Sequence, residues 1–385
     1  MTQITLAKGA LEGYLQERHG ARIYIESMRQ LGGDASGEAA LKQFGYGRPV
    51  LVTYQAGERL REEVFHTIRR NAFGRERDDD RVAAIWLDFR TFNELPRHVP
   101  AVDVVGTTGE GELASLSAVE EMVLVTSYRP GTVYAEDLLR LRDEGTVEEA
   151  DVQRIEALAR YLAQIHERRF EEGARDMESL EERRGALWRR RLRDLVGHGE
   201  GIMGLADSYP VPLPYTSAED LRALEEKANR WRWRLKSMSH RLRQVHGDFH
   251  PFNIIFAEDA DDADDVGDFF VLDRSRGPWG EPADDVSCLT INYLFFSLQR
   301  SGRLTAPFEA LHRRFWETYL AARPDEEMLN VIQPWYAWRA LVLASPVWYP
   351  TVTEEVRRRL LAFARRVMAA ESYDYEQVNE YAGVT

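Results

Sequence analysis

Cysteine is nearly absent. Cys288 stands alone, so no disulfide can form within the chain, and a reducing compartment, the cytoplasm, is expected. Long apolar runs are missing too: the densest, residues 289–298, is interrupted by Thr290, Asn292 and Ser297, and none approaches the ~20 residues that span a bilayer. No basic segment followed by an apolar core opens the sequence. Positive charge is in deficit. A formal net charge of −14 repels a nucleic-acid backbone or an anionic membrane and favours a cationic small molecule, so neither nucleic acid nor membrane is expected as a partner. The phosphate-binding pattern GxxxxGK[ST] does not occur. The acidic run at 258–268 lacks EF-hand spacing and reads as a solvated turn. Nothing in the sequence bears on oligomeric state.

What is present centres on Val245-His246-Gly247-Asp248-Phe249-His250-Pro251-Phe252-Asn253-Ile254-Ile255-Phe256, followed by Phe269-Phe270-Val271-Leu272-Asp273. The first stretch sets a carboxylate and an amide five residues apart on a Pro-containing turn that runs into a strand. The second is a short apolar strand ending in an Asp. Singly, Asp248 reads as a turn or cap residue and Asn253 as a turn former. Together with Asp273 they offer oxygen donors of the kind Mg²⁺ takes sparingly from protein, filling the rest of its shell with water and nucleotide phosphates. Asn253 and Asp273 suit the metal, and Asp248 is the carboxylate left to align an attacking hydroxyl and accept its proton.

His246-Gly247-Asp248 with Asn253 resembles the catalytic loop of the aminoglycoside phosphotransferase family, which shares the protein-kinase fold. Gly280-Glu281-Pro282-Ala283-Asp284-Asp285-Val286 is similar to that family's Gly-Asp-Pro-x-x-Asp-Leu segment, with Glu281 in place of Asp. The resemblance implies an α+β, two-lobed, kinase-like fold: an N-terminal lobe over 1–127 built on a small antiparallel sheet, and a larger, mainly helical lobe over 128–385. It implies ATP- and Mg²⁺-dependent phosphorylation of a hydroxyl on a small molecule, with His246 and Asp285 bracing the loop. An amine-bearing acceptor, aminoglycoside-like or choline-like, would suit the acidic balance.

In chain order, an amphipathic helix at 4–18 is followed by strands at 22–28, 49–54 and 63–68. Two glycine clusters, at 32–37 and 45–47, could lie over phosphates or simply turn the chain. On the third strand the resembled family carries a phosphate-neutralising Lys or Arg, and the matching position here is His66, with Arg69 and Arg70 beyond it. Imidazole is largely neutral near pH 7; either an arginine takes the role or nucleotide binding is altered, and both readings stand open. A helix over 81–95, carrying Asp88 and Glu94, and strands at 101–105 and 122–126 complete the lobe. Ser127-Tyr128-Arg129-Pro130-Gly131 resembles the family's hinge, which makes Thr126 and Tyr128 the expected nucleotide contacts.

Helical patterns then dominate, at 151–170, within an insert over 171–240, and at 287–298, 307–321, 328–345 and 354–373. His166 reads as a structural histidine, and Trp316, Trp335, Tyr336, Trp338, Trp348 and Tyr349 as core rather than as a cage for a cation. Two rivals to a small-molecule kinase are a catalytically inactive nucleotide-binding regulator, favoured by His66, and a protein kinase. Only six residues separate Asp273 from Gly280, too few for an activation segment.

Overall fold

Alternating apolar side chains form strands largely where the sequence predicts them. The structure, a computed structural model, describes residues 6–31, 47, 49–68, 78–107, 112–114, 121–170, 177–257, 268–274 and 276–384. The 32–37 glycine cluster, Gly45, Tyr46, Arg69, Arg70, the 109–111 turn and nearly all of the acidic run lie outside those residues. The chain divides into two units, Met1–Pro130 and Gly131–Thr385.

In the first unit, α1 (Lys8–His19) precedes β1 (Ile23–Gln30), β2 (Val50–Ala56), β3 (Arg59–His66), α2 (Asp78–Thr91), β4 (Ala101–Thr107), β5 (Leu113–Ala114) and β6 (Glu121–Ser127). The strands make one antiparallel sheet in the order β1-β2-β3-β6-β4-β5. The period of two sorts their side chains. Val123 and Val125 of β6 turn to one face, where Ile25, Val52, Tyr54 and Phe65 pack with Leu11 and Leu15 of α1. Leu124 turns to the other, against Ile85 of α2 and Phe92. β3 begins four residues earlier than the apolar pattern suggests, because Arg59 to Glu62 pair with β2 through the backbone ladder while their side chains stay largely in solvent.

The second unit contains β7 (Thr132–Val133), α3 (Tyr134–Glu144), α4 (Glu149–Glu167), α5 (Met177–Gly197), α6 (Ile202–Ser208), α7 (Ala218–Leu235), β8 (Arg243–Gln244), β9 (Ile254–Phe256), β10 (Phe269–Val271), β11 (Trp279–Gly280), α8 (Pro282–Ser301), α9 (Phe308–Ala322), α10 (Gln333–Ala344), α11 (Glu354–Val367) and α12 (Val378–Tyr381). Its axis is α8, buried from Pro282 to Leu298 and packed by α3, α4, α9, α10 and α11. A helix buried on every side must satisfy its polar groups internally. Ser287, Thr290 and Asn292 do so by donating to the carbonyls of Asp284, Val286 and Cys288. The six aromatic residues singled out in the C-terminal part are buried, as core. The helical pattern at 328–345 is split: Pro334 sits in the first turn of α10, after a separate 3₁₀ turn at Glu326–Asn330. Among the described residues no helix is long and apolar enough to cross a membrane.

The start of α8 is anchored by a buried ionic cluster. Glu281 caps the helix by accepting from the Ala283 N–H and receives the Arg241 guanidinium through two hydrogen bonds. Arg241 also donates to both oxygens of Asp325, at 2.9 and 3.1 Å. Burial alone would raise the Asp325 pKa, but Arg241 and Arg323 bring it down to about 2. Removing one member of a buried ionic group strands the others, at ~3–5 kcal/mol. Arg241→Met is therefore expected to lower the unfolding free energy by roughly that amount, read from the urea midpoint at pH 7; an unchanged midpoint would show the cluster to be dispensable.

Candidate active site

The site is built on the first turn of α8. Carboxylates are favoured at a helix N-terminus, where backbone N–H groups lack partners, and Asp284 and Asp285 both occur there, fully buried. Asp285 accepts the backbone N–H of His246 and of Gly247, each at 2.7 Å, and faces His166 Nε2 at 3.1 Å. Burial works to raise its pKa, but His166 and the Gly247 N–H outweigh it and keep the carboxylate ionised. His166 in turn bonds the Tyr319 hydroxyl through Nδ1 at 2.8 Å. It is the structural histidine its sequence context suggests, and Asp285 braces the loop.

Gly247 has φ +91°, a backbone that disfavours side chains, and a Cβ there would press to 3.2 Å on Arg276. The next peptide N–H, that of Asp248, donates to His246 Nδ1 at 3.2 Å. His250 then caps a short 3₁₀ turn, Pro251–Asn253, by accepting from the Phe252 N–H. At its end Asn253 Nδ2 donates back to the Asp248 carbonyl at 3.0 Å. β9 leaves from this point and pairs with β10 in the register Ile254↔Val271, and the Leu272 N–H adds a rung by donating to the Asn253 carbonyl at 2.8 Å. Asp273 follows at once, half-buried, with φ +55°. Left-handed backbone at a non-glycine residue holds ~1–3 kcal/mol of strain and gathers at functional positions. Arg274, fully buried, pins the same segment to the Val245 carbonyl at 3.1 Å. Thus the Asn253 side chain is tied to the Asp248 carbonyl, and its main chain to the segment that carries Asp273.

The chemistry of this donor set fits a hard cation. The Asn253 nitrogen is spent on the Asp248 carbonyl, which leaves the side-chain oxygen as its metal-binding atom, and Asp273 adds a carboxylate. Among the described residues no group of three or more His, Cys, Asp and Glu side chains is placed to hold a metal; the pair here is one amide and one carboxylate.

Arginines crowd Asp248 in a way the motif did not announce. Arg339 Nη1 and Arg276 Nη1 each approach Oδ1 at 2.8 Å. Arg276 also donates to the Gly247 carbonyl and to Glu200. Asp284 receives Arg339 on Oδ1 at 2.6 Å and Arg191 on Oδ2 at 2.9 Å. Both guanidiniums that reach Asp248 lie over the Trp338 ring, at 3.9 Å for Arg339 and 4.9 Å for Arg276. One signal was there to find: Arg339 is the single charged residue in the otherwise apolar α10. Cys288 Sγ lies 3.8 Å from Asp248 Oδ1, but burial pushes the thiol pKa up, so it is protonated and inert.

The residues expected to meet a nucleotide lie in the first unit. His66 and Thr126 occupy the paired strands β3 and β6, and His66 Nε2 meets Thr126 Oγ1 at 3.0 Å. Burial lowers the His66 pKa to about 4, so at neutral pH it is a neutral hydrogen-bonding group and not a phosphate counter-charge. Tyr128 follows β6 and is half-buried. Asp88 is buried on α2, whereas Glu94 falls in the 3₁₀ turn beyond it, on the surface.

Residues 86–264 match the model of the phosphotransferase enzyme family, APH; the matched stretch includes Asp248 and Asn253 and stops short of Asp273. No curated protein matches the chain in sequence. Among solved structures, an amicoumacin kinase in complex with AMP-PNP, Ca²⁺ and Ami aligns over 96% of this chain and 98% of its own, at 13% identity and a TM-score of 0.52. A choline/ethanolamine kinase family protein from Mesorhizobium loti aligns over 92% of each chain at 12% identity and a TM-score of 0.48. An aminoglycoside phosphotransferase from Streptomyces rimosus covers 89% of this chain and 100% of its own, at 15% identity and a TM-score of 0.42. The fold is the α+β, protein-kinase-like one expected from the sequence. Over residues 86–264, a little under half of the chain, the resemblance to the aminoglycoside phosphotransferase family holds.

The buried histidines give this site a pH dependence. Burial lowers the pKa of His246 to about 4, and that of His166 also falls. A histidine whose folded pKa lies below its unfolded ~6.5 takes up fewer protons when folded, so its contribution is complete above pH ~6.5 and is lost as pH falls toward the folded value. From His246 alone, unfolding free energy is expected to drop by about 2 kcal/mol between pH 7 and pH 5. Urea titrations at the two values check this, and equal stabilities would refute it.

Proposed function

We propose that the chain transfers the γ-phosphoryl group of ATP, with Mg²⁺, to a hydroxyl of a small amine-bearing molecule. The observation that carries this is the pair of bonds joining Asp248 to Asn253 and Asn253 to the Asp273 segment. They tie the peptide of Asp248 to Asn253 and to the segment carrying Asp273, which supports the positioning that phosphoryl transfer asks of a protein. Asp248 orients the acceptor hydroxyl and takes its proton as the oxygen bonds phosphorus and ADP departs. Asn253 and Asp273 would hold the Mg²⁺, which when bound neutralises charge on the phosphates. His66, Thr126 and Tyr128 would contact the nucleotide, His66 as a neutral group. The lobes are taken as 1–127 and 128–385. The amine is favoured by the net charge of −14, which also disfavours nucleic acid and anionic membranes as partners. A single buried thiol suits the cytoplasm.

Two observations favour a second reading, a nucleotide-binding regulator without catalysis. His66 is uncharged, and Asp248 is held by two guanidiniums. ADP release separates the readings. With choline, glucosamine, kanamycin and glycerol as acceptors, the kinase reading expects Mg²⁺-dependent ADP release above the rate in water for at least one amine. Nucleotide binding without turnover on any of them would support the regulator. Asp248→Asn is expected to slow turnover by ~10²- to 10⁴-fold with ATP binding kept. Asn253→Ala and Asp273→Ala should instead lose the Mg²⁺-dependent part of ATP affinity, measured by calorimetry. A full rate in Asp248→Asn would remove the base assignment.

A further inference from the structure

We propose that Arg339 is a positioning residue that fixes the carboxylate of Asp248 for the reaction; the proposal rests on the phosphotransferase reading of the site. Three acceptors converge on this guanidinium from two segments. Nη1 donates to Asp248 Oδ1 at 2.8 Å, and Nη2 donates to the Gly247 carbonyl at 3.2 Å and to Asp284 Oδ1 at 2.6 Å. The side chain is buried, at 5% exposure, and it lies 3.9 Å over Trp338, its neighbour on α10. A planar fork bonded at both ends and stacked on an indole has little rotational freedom left. What it holds inherits that rigidity.

Charge balance separates this role from a merely structural one. Asp284 already has a counter-ion in Arg191, which approaches its other oxygen at 2.9 Å. Neutralising Asp284 therefore does not require Arg339, whereas the bond to Asp248 Oδ1 sets the plane of the carboxylate. Arg276 meets the same oxygen, but it comes from the segment just past Asp273, is partly exposed, and also binds Glu200. Arg276 links Asp248 to the segment that follows Asp273; Arg339 links it to the helical core.

Misplacing a reacting group by ~1 Å costs up to ~10²-fold in rate. Arg339→Lys, which keeps the charge and loses the fork, is expected to reduce kcat about 10- to 100-fold with the KM for ATP changed less than about two-fold, on the same four acceptors. Arg339→Met alone leaves the buried Asp284 Oδ1 without its donor and so weakens folding, and the second variant therefore combines Arg339→Met with Asp284→Asn. The double variant should fold, remain equally slow, and show the Asp248 side chain turned from its wild-type conformation in a crystal structure. A wild-type kcat in the folded double variant, or an unmoved Asp248, would overturn the proposal. If wild type phosphorylates none of the four acceptors, it is the functional reading that fails, and the Asp248 conformation in the double variant still decides the role of Arg339: turned upholds it, unmoved refutes it.

Discussion

One carboxylate organises the second unit. Asp285 stands at the positive end of a helix that is buried along most of its length, and it accepts two consecutive backbone N–H groups, those of His246 and Gly247. Those amides would otherwise be buried without partners, at ~1–3 kcal/mol each. The bonds do more than stabilise. They fix the loop at His246 and Gly247, so the peptide carrying Asp248 leaves in one direction, helped by the left-handed backbone at Gly247. From that origin the turn, the Asn253 return bond and the β9–β10 pair place the remaining oxygen donors.

Around this frame, charge is handled in pairs and forks. Asp284 lies between Arg339 and Arg191, Glu281 and Asp325 share Arg241, and Asp248 has two guanidiniums on one oxygen. Buried carboxylates survive only when matched in this way. The sequence carries a formal net charge of −14, yet the surroundings of Asp248 are rich in arginine. Net charge therefore describes how a cationic molecule would be drawn toward the protein, and it does not describe what that molecule would meet beside Asp248.

Short-range signals made much of this legible. Runs of β-branched and aromatic residues exposed the strands of the first unit, even in β6, which packs on both faces, and the order of HGD, Asn, strand-Asp and GxPxxD singled out the candidate donors because it is written within about forty residues. Long-range partners were not legible. Arg339 lies 91 residues from Asp248, and His166 lies 119 from Asp285; no local period encodes such meetings. His66 illustrates the same limit. Its place on the strand was evident, but the burial that lowers its pKa and the hydrogen bond to Thr126 are products of tertiary packing. Helix ends shifted for a local reason the patterns blurred: apolar spacing continues past Val367, while the backbone leaves the helix there.

The span of those long-range bonds bears on how the protein is made. Because Asp285 braces the 246–248 loop and Arg339 bonds Asp248 from α10, a chain emerging from the ribosome carries His246, Gly247 and Asp248 well before the groups that shape them exist. Non-local contacts of this kind form late and slow the search for the native state. During synthesis the loop is therefore unshaped until α8 and α10 have been translated and packed.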